Sequence, residues 1–298
     1  MPRPRTSVLI IAIITIVAIT LFLPITLHAA AQTASCSFTT FSAPAGYSLS
    51  VVNGVTDDGV VVGQLVDNNT QQMVAFTYSA KGVFTKYAAP KSLTTSLYGG
   101  NATGLNAGTY QASAFPAGMH GFLLQGSQFT AVNYPKAANT WLYDVNQLGA
   151  VVGSFSASQI LTKGFMLVNG KYTTIAYPSA PITYAQAISD NGVVAGTYIV
   201  GSVSTGFTWE NGKFTVISYP KAKYGTALVG VNNSGVVAGN HFSGDFGYGF
   251  IYESGVFKNI VYSGAKYTTA GGINNNGLVS GQIFFTQTDT LGYTAICK

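Results

Sequence analysis

The run Gly230-Val231-Asn232-Asn233-Ser234-Gly235-Val236-Val237-Ala238-Gly239 decides the fold. A polar turn closes on glycine, and a short valine-rich strand follows and ends in glycine. The pattern stands at 54–63, 99–108, 144–153, 187–196, 230–239 and 272–281. Its last glycine recurs at 63, 108, 153, 196, 239 and 281, with spacings of 45, 45, 43, 43 and 42. A fixed period of this length marks a repeat architecture.

Each turn is followed by a small residue and an aromatic: Ala75-Phe76, Gly121-Phe122, Gly164-Phe165, Gly206-Phe207, Gly249-Phe250 and Gly292-Tyr293. A further aromatic comes next, at Phe84, Phe129, Tyr172, Phe214 and Phe257. Asn169-Gly170 and Asn211-Gly212 lie between the two, and Asn-Gly between apolar alternations is a strong hairpin signal. Tyr134-Pro135, Tyr177-Pro178 and Tyr219-Pro220 then end three repeats, since proline ends a strand or sits at an edge. Each repeat thus offers four strands. Four strands in roughly 43–45 residues, six times over, predict an all-β, six-bladed β-propeller over 36–298. A single blade cannot bury both faces, so blades stack around an axis.

Composition agrees. Of 298 residues only 8% are charged, while 47% are hydrophobic, which excludes disorder. Glycine, tyrosine, phenylalanine, valine and threonine favour short strands and tight turns over a helix bundle.

The last repeat stops at Lys298 without a fourth strand. Phe38-Thr39-Thr40-Phe41-Ser42-Ala43-Pro44 matches Phe84-Thr85-Lys86-Tyr87-Ala88-Ala89-Pro90 and is expected to supply it. Counted on the repeat, Cys36 and Cys297 fall at adjacent places in the hairpin turn that the chain break removes. A disulfide between them would replace the lost connection, and two is an even count.

Arg3 and Arg5 precede an apolar run from Val8 to Leu23, and Ala29-Ala30-Ala31 follows. This reads as a secretory leader over 1–31, cut after Ala31. An uncleaved membrane anchor is the alternative, because the apolar run is long. The address is therefore extracellular or periplasmic, with membrane contact only through an uncleaved leader. Thr33-Ala34-Ser35-Cys36 is a faint lipoprotein-like site without the expected leucine. Without 1–31 the chain has twelve lysines, no arginine and nine acids, a net charge of +3. The lysines are scattered and no bidentate fork is available, so nucleic acid is not an expected partner.

The pattern G-[VI]-N-x-x-G-x-V-x-G, then x-[GA]-F and x-N-G, resembles the HAF family of extracellular repeats, secreted bacterial β-propellers. The resemblance covers essentially all of 36–298. Only His120-Gly121-Phe122 keeps the histidine that names the family; the others begin with Val74, Lys163, Thr205, Tyr248 and Leu291. It implies an exported propeller and no particular activity.

Two columns of the first strand carry polar groups. Nine places before the turn glycine stand Ser50, Thr95, Thr140, Thr183, Thr226 and Thr268. They predict either a repeated hydrogen bond at the strand start or a hydroxyl ring at a channel mouth. Five places before it stand small residues, except Asp144. A carboxylate near a narrow axis must be solvated, paired or bound to a cation. Trp141 and Tyr143 lie beside it, as blade packing or as a ligand platform. The loops between second and third strands are expected to open on one face, carrying His120, Lys163, His241, Asp245 and Asp289, with Asp67. His120 and His241 fall in opposite blades, so no metal centre and no cofactor is expected. Catalytic signatures such as G-x-S-x-G and H-E-x-x-H are absent. Asn68, Asn101 and Asn232 begin glycosylation sequons, which carry no weight in a bacterial host.

The function expected is a monomeric, secreted, non-catalytic binding module whose ligand is a surface glycan or an exported protein. The alternatives are an exported polysaccharide hydrolase or lyase using Asp144 and loop carboxylates, and a structural protein of the cell envelope.

Overall fold

A computed structural model describes residues 31–298, apart from 113–117, 157–160, 245–246 and 287. The expected leader over 1–31 lies outside these residues except for Ala31. The described residues form strands, turns and bends.

Antiparallel pairing groups the strands in fours. One unit contains Gly225–Val231, Val237–Phe242, Gly247–Glu253 and Val256–Asn259, each paired to the next. Equivalent four-stranded units begin at Tyr47, Ser92, Asn139 and Ile182. The last begins at Tyr267, and its third strand, Thr290–Cys297, pairs with Cys36–Phe41. The N-terminal segment therefore provides the missing fourth strand. Cys36 lies opposite Cys297 in that ladder, and the two form a disulfide. The first strand of this last unit packs against Tyr47–Val55 of the first.

The N-terminal tie begins earlier than position 36. Gln32–Thr33 adds a parallel strand beside Val256–Asn259. The Ala34 N–H donates to the Asn259 carbonyl at 2.9 Å, and Ser35 and Lys298 exchange backbone bonds at 3.1 and 2.9 Å. The chain thus bridges two neighbouring units before reaching the disulfide.

The repeat glycine is explained by close approach. Gly239 lies opposite Phe250 in the ladder, and a Cβ on it would stand 2.6 Å from the Phe250 Cζ. The same pairing joins Gly63 to Phe76, Gly108 to Phe122, Gly153 to Phe165, Gly196 to Phe207 and Gly281 to Tyr293. These aromatics are almost wholly buried and form the centre of each unit. Burying such a ring supplies a large apolar area at a fixed geometry.

The turns are equally specific. In the fifth, the Gly235 N–H donates to the Asn232 carbonyl at 3.0 Å, with Gly235 at φ +77°. The Asn232 Oδ1 accepts from the N–H groups of Ser234 and Val236 at 3.1 and 3.0 Å. Its Nδ2 then reaches the Asn274 carbonyl of the next turn at 3.2 Å. Asparagine suits this place because it offers both acceptor and donor.

The hydroxyl column has a local task in five of six units. Thr95, Thr140, Thr183, Thr226 and Thr268 are buried, and each Oγ1 accepts the N–H of a residue in the preceding connection: Ala89, Tyr134, Tyr177, Tyr219 and Tyr262, at 2.8–3.2 Å. A ring of free hydroxyls at a channel mouth is thereby replaced by a clamp on the inter-unit segment. Ser50 alone differs, donating to Gln64 Oε1 at 3.0 Å.

Candidate functional site: an axial cup

The first strand of every unit carries a β-bulge. The ladder skips Asn53, Tyr98, Tyr143, Gln186, Val229 and Gly271 in turn. A bulge re-aims the side chain of the extra residue. These six residues stand six places before the turn glycine, and all of them line a cavity of about 420 Å³. Two columns at nine and five places were singled out from the sequence, and this one was not. Strict alternation hides it, because the bulge breaks the period of two.

The cavity is polar at its amides and aromatic on one side. Tyr98 and Tyr143 meet edge to face, with ring centroids 5.2 Å apart. Burial raises both phenols above the usual tyrosine range, so both stay protonated donors. Asn53 is fixed by bonds from its Nδ2 to the Leu97 carbonyl at 2.8 Å and to Ser96 Oγ at 3.3 Å. Gln186 Oε1 accepts from Thr197 Oγ1 at 2.7 Å.

A second polar column, just after the last repeat glycine, holds neighbouring units together. Asn240 exchanges two bonds with the Ala270 backbone, at 2.8 and 2.9 Å. Gln64 Nε2 donates to the Thr95 carbonyl at 3.3 Å. Gln282 Oε1 accepts the Val52 N–H at 3.2 Å, joining the last unit to the first. Its Nε2 is buried with no hydrogen-bond partner.

Below the cavity the axis narrows. Gly54, Gly99, Gly230 and Gly272 line a space of about 30 Å³, and a second space of about 50 Å³ lies beyond it, room for water and little more. Asp144 occupies this constriction, its Oδ1 against the Cα face of Gly99. It accepts the Val145 N–H at 2.9 Å and the Ile188 N–H at 3.0 Å. Burial pushes its pKa up to about 7; the two amides pull it down, and Asp190 and Asp57 push it further up. The carboxylate is thus met by backbone amides.

The far end is plugged by side chains from the turns. Asn275 Nδ2 donates to Asp57 at 2.8 Å and to Asp190 at 3.1 Å. Gln147 Nε2 donates to Asp57 at 3.1 Å, and Asn233 Nδ2 to Asp190 at 2.7 Å. Both carboxylates are met by amide donors across the axis. The wide cavity is therefore a blind cup, open on the face where first strands begin.

Among the predicted ligand residues, Tyr143 lines the cup and Asp144 lies beneath it. Trp141, His120, His241, Lys163 and Asp289 do not line it, and Asp245 lies outside the described residues. His120 and Lys163 sit in the strands Met119–Gln125 and Thr162–Val168 rather than on loops, and His241 is not on a loop either. It sits in the strand Val237–Phe242 and stacks on Tyr219, with centroids 3.7 Å apart and planes 8° off parallel. Phe155 and Tyr198 occupy the same repeat position and stack on Tyr134 and Tyr177. His241 therefore replaces a packing aromatic, and burial lowers its pKa to about 4. His120 stacks on Tyr110 at 5.2 Å. Lys163 and Asp289 are exposed, and the Asp289 N–H donates to Thr286 Oγ1 at 2.9 Å. No cluster of three metal-ligating side chains occurs among the described residues. Of the sequons, Asn68 is exposed, whereas Asn101 and Asn232 are buried in turns.

No family model and no curated protein sequence matches the chain. Solved structures do match it. The Aleuria aurantia lectin in complex with Fucalpha1-6GlcNAc is 12% identical, covering 84% of this chain and 93% of its own, with a TM-score of 0.55. A mutant of AofleA from Arthrobotrys oligospora is 12% identical over 87% of this chain and 86% of its own, with a TM-score of 0.54. A putative gluconolactonase is 11% identical over 87% and 99%, with a TM-score of 0.51. The Aleuria aurantia lectin and the gluconolactonase are β-propellers. At such low identity the likeness establishes the fold: this chain is a β-propeller whose N- and C-terminal strands are joined by the Cys36–Cys297 disulfide.

Proposed function

We propose that the chain is an exported, six-bladed propeller of the HAF kind that acts as a non-catalytic binding module and takes a saccharide in its axial cup. The blind cup carries this reading: about 420 Å³, walled by Tyr98, Tyr143 and side-chain amides. That volume falls within the roughly 300–1,000 Å³ usual for small-molecule sites. Aromatic faces and amides suit sugar rings, which present both C–H faces and hydroxyls. Export is supported by the disulfide, since such bonds persist in oxidising compartments. The binding of fucosides by a propeller lectin of similar fold makes a glycan ligand reasonable.

A hydrolytic reading needs two carboxylates flanking a bond. Asp57, Asp144 and Asp190 all lie at or below the constriction, held by amides, which favours binding over hydrolysis.

The test is a broad glycan array probed with residues 32–298, with and without calcium. Saturable binding to one glycan class is the expected result. Silence across a controlled array overturns the saccharide reading and directs the search to an exported protein partner.

A further inference from the structure

The cup is lopsided. Tyr98 and Tyr143 fill its side at the second and third units, while Gly271 leaves the sixth unit without a side chain in the same column. The open part lies at the seam between the sixth and first units, walled by Ser50, Val52, Thr269, Gln282 and Phe284. This is the seam tied by the Gln282–Val52 bond.

Three properties of this space restrict its occupant. First, it is blind. The glycine constriction and the Asn275 plug allow an end to enter and forbid a polymer from threading through. Second, no Lys, Arg, Asp or Glu lines it among the described residues. A charged group placed there would lose its hydration and gain no ionic partner. Third, Gln282, 3% exposed, lines the wall with its Oε1 committed to the Val52 N–H and its Nε2 unpaired. That donor is shielded from solvent, so an acceptor delivered into the cup reaches it with a small shift of the surrounding wall, and an unpaired buried donor is costly to leave.

We propose that the cup takes the terminal residue of an uncharged saccharide chain, end on, with Gln282 donating a hydrogen bond to it at the seam between the sixth and first units. The inference rests on the reading of the chain as a saccharide-binding module. The aromatic pair Tyr98 and Tyr143 packs against the sugar from the opposite side. Internal residues of the chain stay outside, over the rim.

Calorimetric titration tests this with a neutral oligosaccharide taken from the array. The comparison ligand is the same chain with its terminal residue replaced by a uronic acid. The acidic terminus should bind at least tenfold more weakly. Val229→Trp fills the cup from its floor, where Val229 also borders the constriction, and should abolish binding, with an unchanged far-ultraviolet circular dichroism spectrum and melting point. Gln282→Glu keeps an oxygen for the Val52 N–H and replaces the lone donor with a charge; it should weaken binding at least tenfold. Leu148→Ser, a change at an exposed turn, should leave affinity unaltered. If the wild type binds no saccharide, the module reading falls and this inference with it. If it binds a saccharide and Val229→Trp binds equally well, the site lies elsewhere: this inference and the placement in the cup fall, while the reading as a saccharide-binding module stands. Equal affinity for the acidic terminus overturns the end-on placement.

Discussion

The Nδ2 of Asn274 donates to the carbonyl oxygen of Thr56 at 2.8 Å, across 218 residues of sequence. The same bond joins Asn101 to Asn146, Asn146 to Ser189, and Asn232 to Asn274, at 2.9–3.2 Å. The ladder is interrupted at Ser189 and Thr56, whose short side chains have no amide to extend. Asn274 is therefore the member that links the last unit to the first.

Removing it should loosen the ring. Asn274→Ala loses the inter-unit bond and the two turn bonds to the N–H groups of Asn276 and Leu278. The expected cost is about 2–4 kcal/mol, since buried groups are left unpaired. Asn274→Ser should cost less, because Ser189 shows that a hydroxyl can still hold the turn, accepting from Val193 at 3.1 Å. Urea midpoints of the wild type and both variants give the order; a serine midpoint equal to that of the wild type would mean that the inter-unit bond contributes nothing, and equal midpoints of the two variants that the turn hydroxyl contributes nothing.

The disulfide closes the same ring on its outer side. It links residues 261 apart, for which the chain-entropy model gives about 5.5 kcal/mol as an upper figure. Six residues of antiparallel ladder, Cys36–Phe41, remain when the bond is absent. The double variant carrying Cys36→Ala and Cys297→Ala should therefore stay folded at room temperature and unfold at a lower urea concentration. Intact mass of the exported wild type should lie about two hydrogens below that of the reduced protein by the chemistry of oxidation. Two free thiols in exported protein would remove this role.

Asp144 should make the protein less stable as pH rises. Its folded pKa is about 7, raised chiefly by burial, against an ordinary 3.8. The folded state therefore holds a proton that the unfolded state has lost. The resulting penalty is absent below about pH 4, grows as pH rises, and is complete above about pH 7, reaching at most roughly 4 kcal/mol. Asp144→Asn removes the titration. The difference in urea midpoint between wild type and variant should shift in favour of the variant from pH 5 to pH 8. A constant difference would show that the carboxyl does not change protonation in this range.

Much of this architecture was legible in the sequence, and the reasons are local. Gly239 and Phe250 recur because one must pass beneath the other. Asn232 and Gly235 recur because one turn geometry needs an acceptor and a positive φ. Such constraints repeat with the period and reveal themselves by counting. The cup did not, because Asn53, Tyr98, Tyr143, Gln186, Val229 and Gly271 share a bulge and no chemistry. A binding surface differs from unit to unit, so periodicity cannot find it. It becomes visible only once the pairing register shows which residue each ladder skips. The opposite error befell His241: a rare residue type attracted a ligand role, whereas its repeat position belongs to stacked aromatics such as Phe155 and Tyr198.

That position gives a prediction opposite in sign to the one for Asp144. Burial depresses the His241 pKa to about 4, below the ordinary 6.5. The unfolded chain therefore takes up a proton that the folded protein refuses. The stability is fully present above about pH 6.5 and declines as pH falls through 6.5 toward 4. His241 also stacks on Tyr219 and leaves its Nδ1 buried without a hydrogen-bond partner. His241→Phe keeps a flat ring in the stack, as at Phe155, and removes both the titration and the unpaired nitrogen. The variant should match or exceed the wild type at pH 7.5, and its advantage should grow by pH 5. Thermal melting at the two pH values measures this. An advantage that shrinks toward pH 5 would show that His241 gains a proton in the folded protein at least as readily as in the unfolded chain.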